Sequence, residues 1–558
     1  MTSTVNHHHK VIIAGGGLSG ITALISLKRK LGIEDVVVYE RGAELGGTWA
    51  TNSYPGASSD IPISLYSLSF SPAKEFDSQW PSSPEILSYW NRVVKKYSVS
   101  SSLVYSHLIG HAKFSRSTNV WTLTIKDLTN GEERKETCNV FISAVGALSS
   151  PADPPFDTAT FEGEIVHTGK WDNKLDLKGK NVVVLGNGCS AAQFVPAVID
   201  QVSSLTQIAR SSHSIVPPVA VPDNSWTNFI VRWIPGLFTI FRLGVFFLCE
   251  SYFWMNQDNE KAKKGRVGMK KISDRYIEKT APEKYWDTLK YDFEFGQKRR
   301  VIDFRGYTTA LHSPKMTLLQ PDTILTADKR GITTANGVVI NDVDIVVLST
   351  GFKVNDYLFP LRIENDQGEG LVERLKGNGV KTYLTSMVAS YPNFFILMGP
   401  NSVTGHSSVL LNTECTVDMM IKLLHPVFIA LSTAENTAPP ENLDDKSAAY
   451  SSALDESEFS RSPLDEKFDF HRIPLPSTES TSTGAVAPSV EVTQEAEDEW
   501  YEGLRDEMSR KIWEGQKVSW YTDKEQGGKC TTLYPWSQVH FKNSTQKIPK
   551  ERFVWSNC

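Results

Sequence analysis

Cysteine is sparse in this 558-residue chain, and no two cysteines are placed as a pair. Cys138, Cys189, Cys249, Cys415, Cys530 and Cys558 are scattered, with no CxxC and no metal-ligand spacing. That excludes a disulfide framework or a dithiol redox pair, implies no metal site, and points to reduced thiols in a cytoplasmic protein. An excess of positive charge is also missing. A net charge of −6 and a pI near 6.1 argue against a general nucleic-acid binder. The N-terminus lacks the apolar core of a signal sequence; Met1 to Asn6 is followed by His7-His8-His9, which reads as a solvated tail. Trp226 to Met255 is rich in Trp, Phe, Leu and Ile, but Arg232, Pro235 and Arg242 interrupt it. A spanning helix needs roughly 20 consecutive apolar residues, so no transmembrane span is expected. The stretch reads as a greasy helical lid or substrate-facing wall. The alternative is an interfacial patch, giving weak membrane association through 226–255.

What is present describes a large globular α/β protein. Hydrophobic residues make up 40% and charged residues 22%, which fits two or three domains. A strand at Lys10 to Ala14, a glycine turn, a helix through Leu27 and a strand at Val36 to Tyr39 make a βαβ opening. Strands are expected at Trp121 to Ile125 and Val140 to Ala144. A second βαβ unit starts with Asn181 to Leu185, a helix near Ser190 and a strand at Leu205 to Ala209. Residues 216–300 read as helical and aromatic. Strand character returns at Val338 to Ile340, Ile345 to Ser349 and Phe394 to Met398, and a helix is expected from Gln494 to Trp513. The interleaving predicts two dinucleotide-binding, Rossmann-like domains, each completed by C-terminal sequence, plus a helical insertion. The expected division is 1–150 with 381–545, 151–215 with 330–380, and a helical subdomain at 216–329. Residues 432–488, dense in Ser, Thr, Pro, Asp and Glu, read as a disordered acidic insertion.

Two glycine fingerprints carry the chemistry. Gly15-Gly16-Gly17-Leu18-Ser19-Gly20 follows a strand, so Gly15 allows the tight turn, Gly17 the approach of a pyrophosphate, and Gly20 close helix packing. Glu40 ends the next strand, where a carboxylate suits a ribose. The second fingerprint is Gly186-Asn187-Gly188-Cys189-Ser190-Ala191. No acid follows its next strand; Arg210 stands there, with Ser211, which suits a 2′-phosphate and favours NADPH over NADH. Between the two lies Phe161-Glu-Gly163-Glu-Ile-Val-His167-Thr-Gly-Lys-Trp171-Asp172, more specified than a loop requires.

This last segment matches the pattern FxGxxxHxxx(W)(P/D), and through it the chain resembles the Type I Baeyer–Villiger monooxygenases of the flavin-containing monooxygenase superfamily. Gly46-Gly47-Thr48-Trp49, Asn52, Tyr54-Pro55-Gly56, Asp60 and Tyr66 resemble the family's flavin-binding stretch. Gly296-Gln297-Lys298-Arg299-Arg300 resembles its GxKR segment. The resemblance implies FAD contacts from Gly15, Gly17, Leu18, Ser19, Gly20, Glu40, Arg41, Gly47, Thr48, Trp49, Asn52, Asp60 and Tyr66. It implies NADP contacts from Gly186, Asn187, Gly188, Cys189, Ser190, Ala191, Arg210, Ser211 and Lys298. Arg299 is implied as the cation beside the flavin with Asp60 holding it, although the register also allows Arg300. Phe161, Gly163, His167, Trp171 and Asp172 are implied to time domain movement as a linker.

Ser349-Thr350-Gly351-Phe352 resembles the family's ATG segment, with Ala144-Val145-Gly146 a looser copy. Gly399-Pro400-Asn401-Ser402 and Gly405-His406-Ser407-Ser408 resemble its flavin-domain return, with His406 a turn or cofactor contact. Trp520-Tyr521 falls where the family has its terminal Trp-Tyr. Ser349 for Ala, Val145 for Thr, and Pro154-Pro155 before the motif are departures. The implied activity uses FAD, NADPH and O₂ to convert a hydrophobic ketone to an ester or lactone through a C4a-peroxyflavin, in fungal secondary metabolism. N- or S-oxygenation or hydroxylation by the same flavin chemistry is the alternative, and Trp171-Asp172 favours the ketone reaction. A flavin disulfide reductase would need the CxxC that is missing, and a non-catalytic NADP(H)-binding regulator would purify without yellow colour.

Overall fold

A computed structural model describes residues 5–435 and 486–558, apart from 77, 220, 222–224, 235, 357, 378, 516–520 and 524. Most of the expected acidic insertion, and Trp520, therefore lie outside the described residues.

Two sheets organise the chain. The first has eight strands. Its main path runs Arg362–Glu364, His107–Ser115, Val120–Asp127, Glu133–Ser143, Val5–Ala14, Val36–Tyr39 and Leu103–Val104, and Phe394–Ile396 also pairs with Glu133–Ser143. The second has five, all parallel: Met316–Leu319, Ser204–Ile208, Asn181–Leu185, Ile345–Leu348 and Glu164–His167. The inner strands Val36–Tyr39 and Ile345–Leu348, each parallel to both its neighbours, are buried at every position, as unbroken apolar runs covered on both faces should be. Each sheet takes a strand from far along the chain, Phe394–Ile396 in the first and Ile345–Leu348 in the second. The expected completion by C-terminal sequence is therefore present, but its boundaries differ: Arg362–Glu364, within the expected 330–380 part of the second unit, pairs in the first sheet, and Met316–Leu319, within the expected 216–329 helical subdomain, pairs in the second.

The first helix, Leu18–Leu31, ends on Gly32 at φ 64°, with Lys28, Arg29 and Lys30 in its last turn complementing the helix dipole. It is buried along most of its length because it lies between the first sheet and the long helix Val409–Glu435. In the second unit, Cys189–Val198 covers the sheet with Phe194, Val195 and Val198 fully buried.

Several expectations are corrected. His7-His8-His9 is no solvated tail but part of the strand Val5–Ala14, paired with Glu136, Thr137 and Cys138. The His8 ring is within 2.9 Å of the Thr137 hydroxyl and the His9 ring within 2.8 Å of the Asp35 carboxylate, partners that only the folded sheet supplies. The Gln494 helix ends at Ser509, not Trp513, because Lys511 leaves it to bridge Gln257. The Phe394 strand stops at Ile396, and Met398 turns at φ 58°. Leu237–Asn256 is long and apolar enough to cross a membrane by length and composition, against the reading that no window there suffices. Val409–Ala434 passes the same test, but it is the core helix described above and 61% of its window is buried.

Candidate active site

The two fingerprints form two copies of one turn. Gly15 stands at φ 106°, and a Cβ there would lie 2.5 Å from the Ala144 carbonyl oxygen. Gly186 stands at φ 115°, and its Cβ would lie 2.5 Å from the Ser349 carbonyl oxygen. The segments at Ala144-Val145-Gly146 and Ser349-Thr350-Gly351 are thus the surfaces against which each turn closes. Gly20 is packed against the Gly15 carbonyl, so no larger residue fits.

The helices that follow begin at Gly17 and Gly188. Neither has a side-chain cap, and neither has an acid in its first turn. Their free N–H groups form unopposed anion cradles, which suits pyrophosphate.

One cavity of about 870 Å³ runs across both cradles at the carboxyl ends of the two sheets. Its first wall includes Gly15, Gly17, Leu18, Ser19, Glu40, Arg41, Gly47, Thr48, Trp49, Asn52, Asp60 and Tyr66. Its second includes Gly186, Asn187, Gly188, Cys189, Ser190, Arg210, Ser211, Lys298 and Arg299. Gly20 and Ala191 do not line it; both are buried in helix packing. Glu40 reaches the cavity with its carboxylate accepting from the Gly16 and Gly42 amides, each at 2.7 Å. The Trp49 indole N–H donates to the Tyr66 hydroxyl at 3.0 Å, and burial pushes the Tyr66 phenol up to about 12.

The three consecutive cations diverge to three different walls. Lys298 Nζ donates to the Ser211 hydroxyl at 3.1 Å, near Arg210. Arg299 donates to the Asp60 carboxylate at 2.8 Å. Arg300 donates to the Gly405 carbonyl at 2.7 Å. Arg299, and not Arg300, therefore makes the hydrogen bond to Asp60. The Asp60 charge raises the Arg299 guanidinium above its usual range despite burial. Burial would raise the Asp60 carboxyl, but the charges of Arg299 and Arg300 outweigh it and hold the group below the usual carboxylate range. Both stay ionised across any working pH.

The Phe161–Asp172 motif does not line the cavity. Glu164–His167 is an edge strand of the second sheet, not a free linker. Phe161 packs under that sheet. A Cβ on Gly163 would lie 2.7 Å from both the Asp344 carbonyl and the Phe161 ring, which explains the F-x-G spacing. His167 Nδ1 accepts from the Gly169 amide at 2.9 Å, and its ring meets Phe352 edge-on at 5.8 Å. Burial drives its imidazole down to about 4, so it is neutral. Trp171 packs on Phe194 at 5.4 Å, beneath the second cradle's helix. Asp172 accepts from the Lys174 amide in a surface turn.

Sequence reasoning missed the seam between the units. The Tyr54 hydroxyl donates to Gln193 Oε1 at 2.7 Å, and Gln193 Nε2 donates to the Ser58 carbonyl at 3.0 Å. Gly56, at φ 85°, packs against the Gln193 backbone. The Tyr-Pro-Gly signal was visible, but nothing in sequence pointed to Gln193. Tyr521 lines the cavity as well. His406 does not line the cavity and acts as an anchor: its Nε2 lies 2.8 Å from the Glu250 carboxylate, tying the helix Leu237–Glu250 to the Gly405–Ser408 turn.

Residues 13–78 match the NAD(P)-binding Rossmann-like domain family. The chain is 30% identical over 417 residues to the FAD-binding monooxygenase ktnD of Aspergillus niger, covering 72% of this chain and 67% of that protein. It is 29% identical over 432 residues to a Baeyer–Villiger monooxygenase of Pseudomonas aeruginosa, covering 76% and 78%. The chain belongs to the FAD-dependent Baeyer–Villiger monooxygenase family. A Streptomyces coelicolor member of that family is 26% identical over 552 residues, covering 98% of this chain and 92% of its own. In fold, this Baeyer–Villiger monooxygenase is similar to an oxidized steroid monooxygenase bound to NADP, at TM-score 0.75 and 21% identity, covering 99% and 100% of the two chains. Closed cyclohexanone monooxygenase gives TM-score 0.75 at 20% identity, with the same coverage. FAD and NADP are the family's cofactors, and the two glycine cradles, free of acid and side-chain caps, fit one dinucleotide each.

Proposed function

We propose that this enzyme converts a hydrophobic ketone to an ester or lactone. Ketone, O₂, NADPH and a proton would give ester, NADP⁺ and water. The observation that carries the reading is the Arg299–Asp60 ion pair, 2.8 Å long, set in the cavity wall between the two cradles. FAD, when bound, supplies hydride acceptance and oxygen activation. The first cradle, with Gly15, Gly17, Leu18 and Ser19, would hold the FAD pyrophosphate, with Glu40 and Arg41 on its adenosine side and Gly20 serving only the packing of the helix. Gly47, Thr48, Trp49, Asn52 and Tyr66 would flank the flavin. The second cradle, from Gly186 to Ser190, would hold NADPH, and Arg210, Ser211 and Lys298 would take its 2′-phosphate.

The division of labour follows the two sheets, the eight-stranded unit for FAD and the five-stranded unit for NADPH. The helices between Ser225 and Thr280 form the intervening subdomain, while Met316–Leu319, within the expected 216–329 stretch, belongs to the five-stranded unit. Arg299 is the catalytic cation. Its permanent charge would stabilise negative charge developing on oxygen during attack on the carbonyl. Asp60 positions that guanidinium. His167, neutral and buried under Phe352, holds the edge strand beside the second cradle and takes no part in proton transfer. Six free cysteines support a cytoplasmic setting, and the fungal relative supports a role in secondary metabolism.

Oxygen uptake driven by NADPH, with products analysed from cyclic, steroidal and polyketide ketones beside amines and thioethers, tests the proposal. Ester or lactone from at least one ketone is expected. Turnover with amines or thioethers alone would transfer the assignment to N- or S-oxygenation.

A further inference from the structure

The helices Ser225–Trp233 and Leu237–Glu250 turn an unusual amount of apolar surface to solvent. Trp226 is 76% exposed, Trp233 65%, Ile240 66% and Phe247 60%, and Phe229 and Leu243 join them. None of these side chains lines the cofactor cavity. Ile240, Leu243 and Phe247 recur at helical spacing along one stripe. The opposite stripe, Phe238, Arg242, Val245 and Cys249, is buried, with Val245 and Cys249 packed against Ile61 and Leu65. One face of the helix is therefore spent on the body of the enzyme, and the exposed large apolar side chains on the other mark an interaction surface.

Charge identifies the occupant. Between residues 226 and 275 there are nine Lys and Arg against four Asp and Glu, in a chain whose net charge is −6; Arg242 and Arg266 are buried, and the other seven cations reach solvent. The Arg232 guanidinium lies 5.5 Å from the Trp233 ring centre and also meets Glu75 at 3.1 Å. Lys261 Nζ lies 5.7 Å from the Trp254 ring, and Lys263, Lys264 and Lys271 are exposed on the same helix, Glu260–Thr280. Aromatics bordered by cations suit a bilayer with anionic headgroups. A second copy of this chain would bring the same cations face to face, which opposes a symmetric dimer.

The hairpin is also pinned against insertion. Arg242 is buried and donates to the Ser67 carbonyl at 2.8 Å, and Glu250 is held by His406 at 2.8 Å. Both groups tie the helix to the protein along its length, so it lies in the interface plane and does not cross.

We propose that residues 226–254 form an interfacial docking surface for a bilayer bearing anionic lipid, seating Trp226, Phe229, Trp233, Ile240 and Phe247 at the acyl boundary with Arg232 and Lys261 at headgroup level. The test is vesicle flotation of the full-length, FAD-loaded enzyme, using phosphatidylcholine with and without phosphatidylserine. Wild type floats with the phosphatidylserine vesicles, and less so with phosphatidylcholine alone. The Trp226→Ser/Phe229→Ser/Phe247→Ser variant keeps its flavin content and melting temperature but loses bound fraction on the order of tenfold. Lys261→Glu/Lys263→Glu/Lys264→Glu loses the phosphatidylserine preference. Wild-type enzyme that stays at the bottom of both gradients overturns the proposal, as does flotation unchanged in the triple serine variant. A concentration-dependent dimer in sedimentation equilibrium, abolished by the serine substitutions and accompanied by no flotation, overturns it in favour of self-association.

Discussion

Lowering the pH from 7 to 5 should destabilise this enzyme through one buried ring. His167 is 8% exposed, with Nδ1 committed to the Gly169 amide and its ring against Phe352. Burial lowers its pKa from 6.5 to about 4, with the Gly351 backbone opposing the shift and the Lys170 charge adding to it. Between those values the unfolded chain takes a proton that the folded protein refuses. The stabilisation is therefore fully present above pH 6.5 and is lost as the pH falls toward 4. The linkage relation puts the loss from pH 7 to pH 5 at about 2 kcal/mol for this residue. His213, also lowered to about 4 by burial, adds its own share, so the comparison must be made against a variant. His167→Asn is suitable, because the amide oxygen can accept from Gly169 and does not titrate. Denaturant unfolding of both proteins at the two pH values should show the stability difference moving by ~2 kcal/mol in favour of the His167→Asn variant at pH 5. In ¹³C-histidine NMR the resonance lost in the variant should not titrate above pH 5. A stability difference equal at both pH values, or a titration midpoint near 6.5, would refute the argument that burial keeps this ring neutral.

Arg299→Ala should leave flavin reduction by NADPH intact in stopped-flow measurements while lowering ketone oxygenation by about 10²- to 10³-fold; unchanged ester formation would remove Arg299 from the chemistry. Arg210→Ala should raise KM for NADPH on the order of tenfold and leave KM for NADH nearly unmoved, since only the former carries the 2′-phosphate. Equal effects on both would reject that contact. Gly163→Ala places a Cβ 2.7 Å from the Asp344 carbonyl and the Phe161 ring, so thermal stability should fall by about 1–3 kcal/mol with cofactor KM values preserved. A variant as stable as wild type would mean that the glycine serves movement and not packing.

Much of the fold was legible because its signals are local. Val36 to Tyr39 and Asn181 to Leu185 were readable as strands from unbroken β-branched runs, and the glycines between strand and helix are steric requirements of a turn at positive φ. Boundaries were less legible where a distant partner decides them. His7-His8-His9 looks like a tail until the strand Glu133–Ser143 lies beside it. The Phe161–Asp172 motif looks like a linker until Ile345–Leu348 pairs with it. His406 looks like a site residue until Glu250, 156 positions away, closes on it.

Sequence alone therefore determined the two glycine turns and the cation cluster at 298–300, because each is a short pattern whose steric or charge requirement needs no distant neighbour. Tertiary structure decided which cation meets Asp60, that Gln193 joins the two units, and which stripe of the Leu237–Glu250 helix is left bare. Adjacent arginines are equivalent in a string of letters. Only the backbone's path sends one side chain to Asp60 and the next to Gly405, and only packing shows which half of an apolar helix has already found its partner.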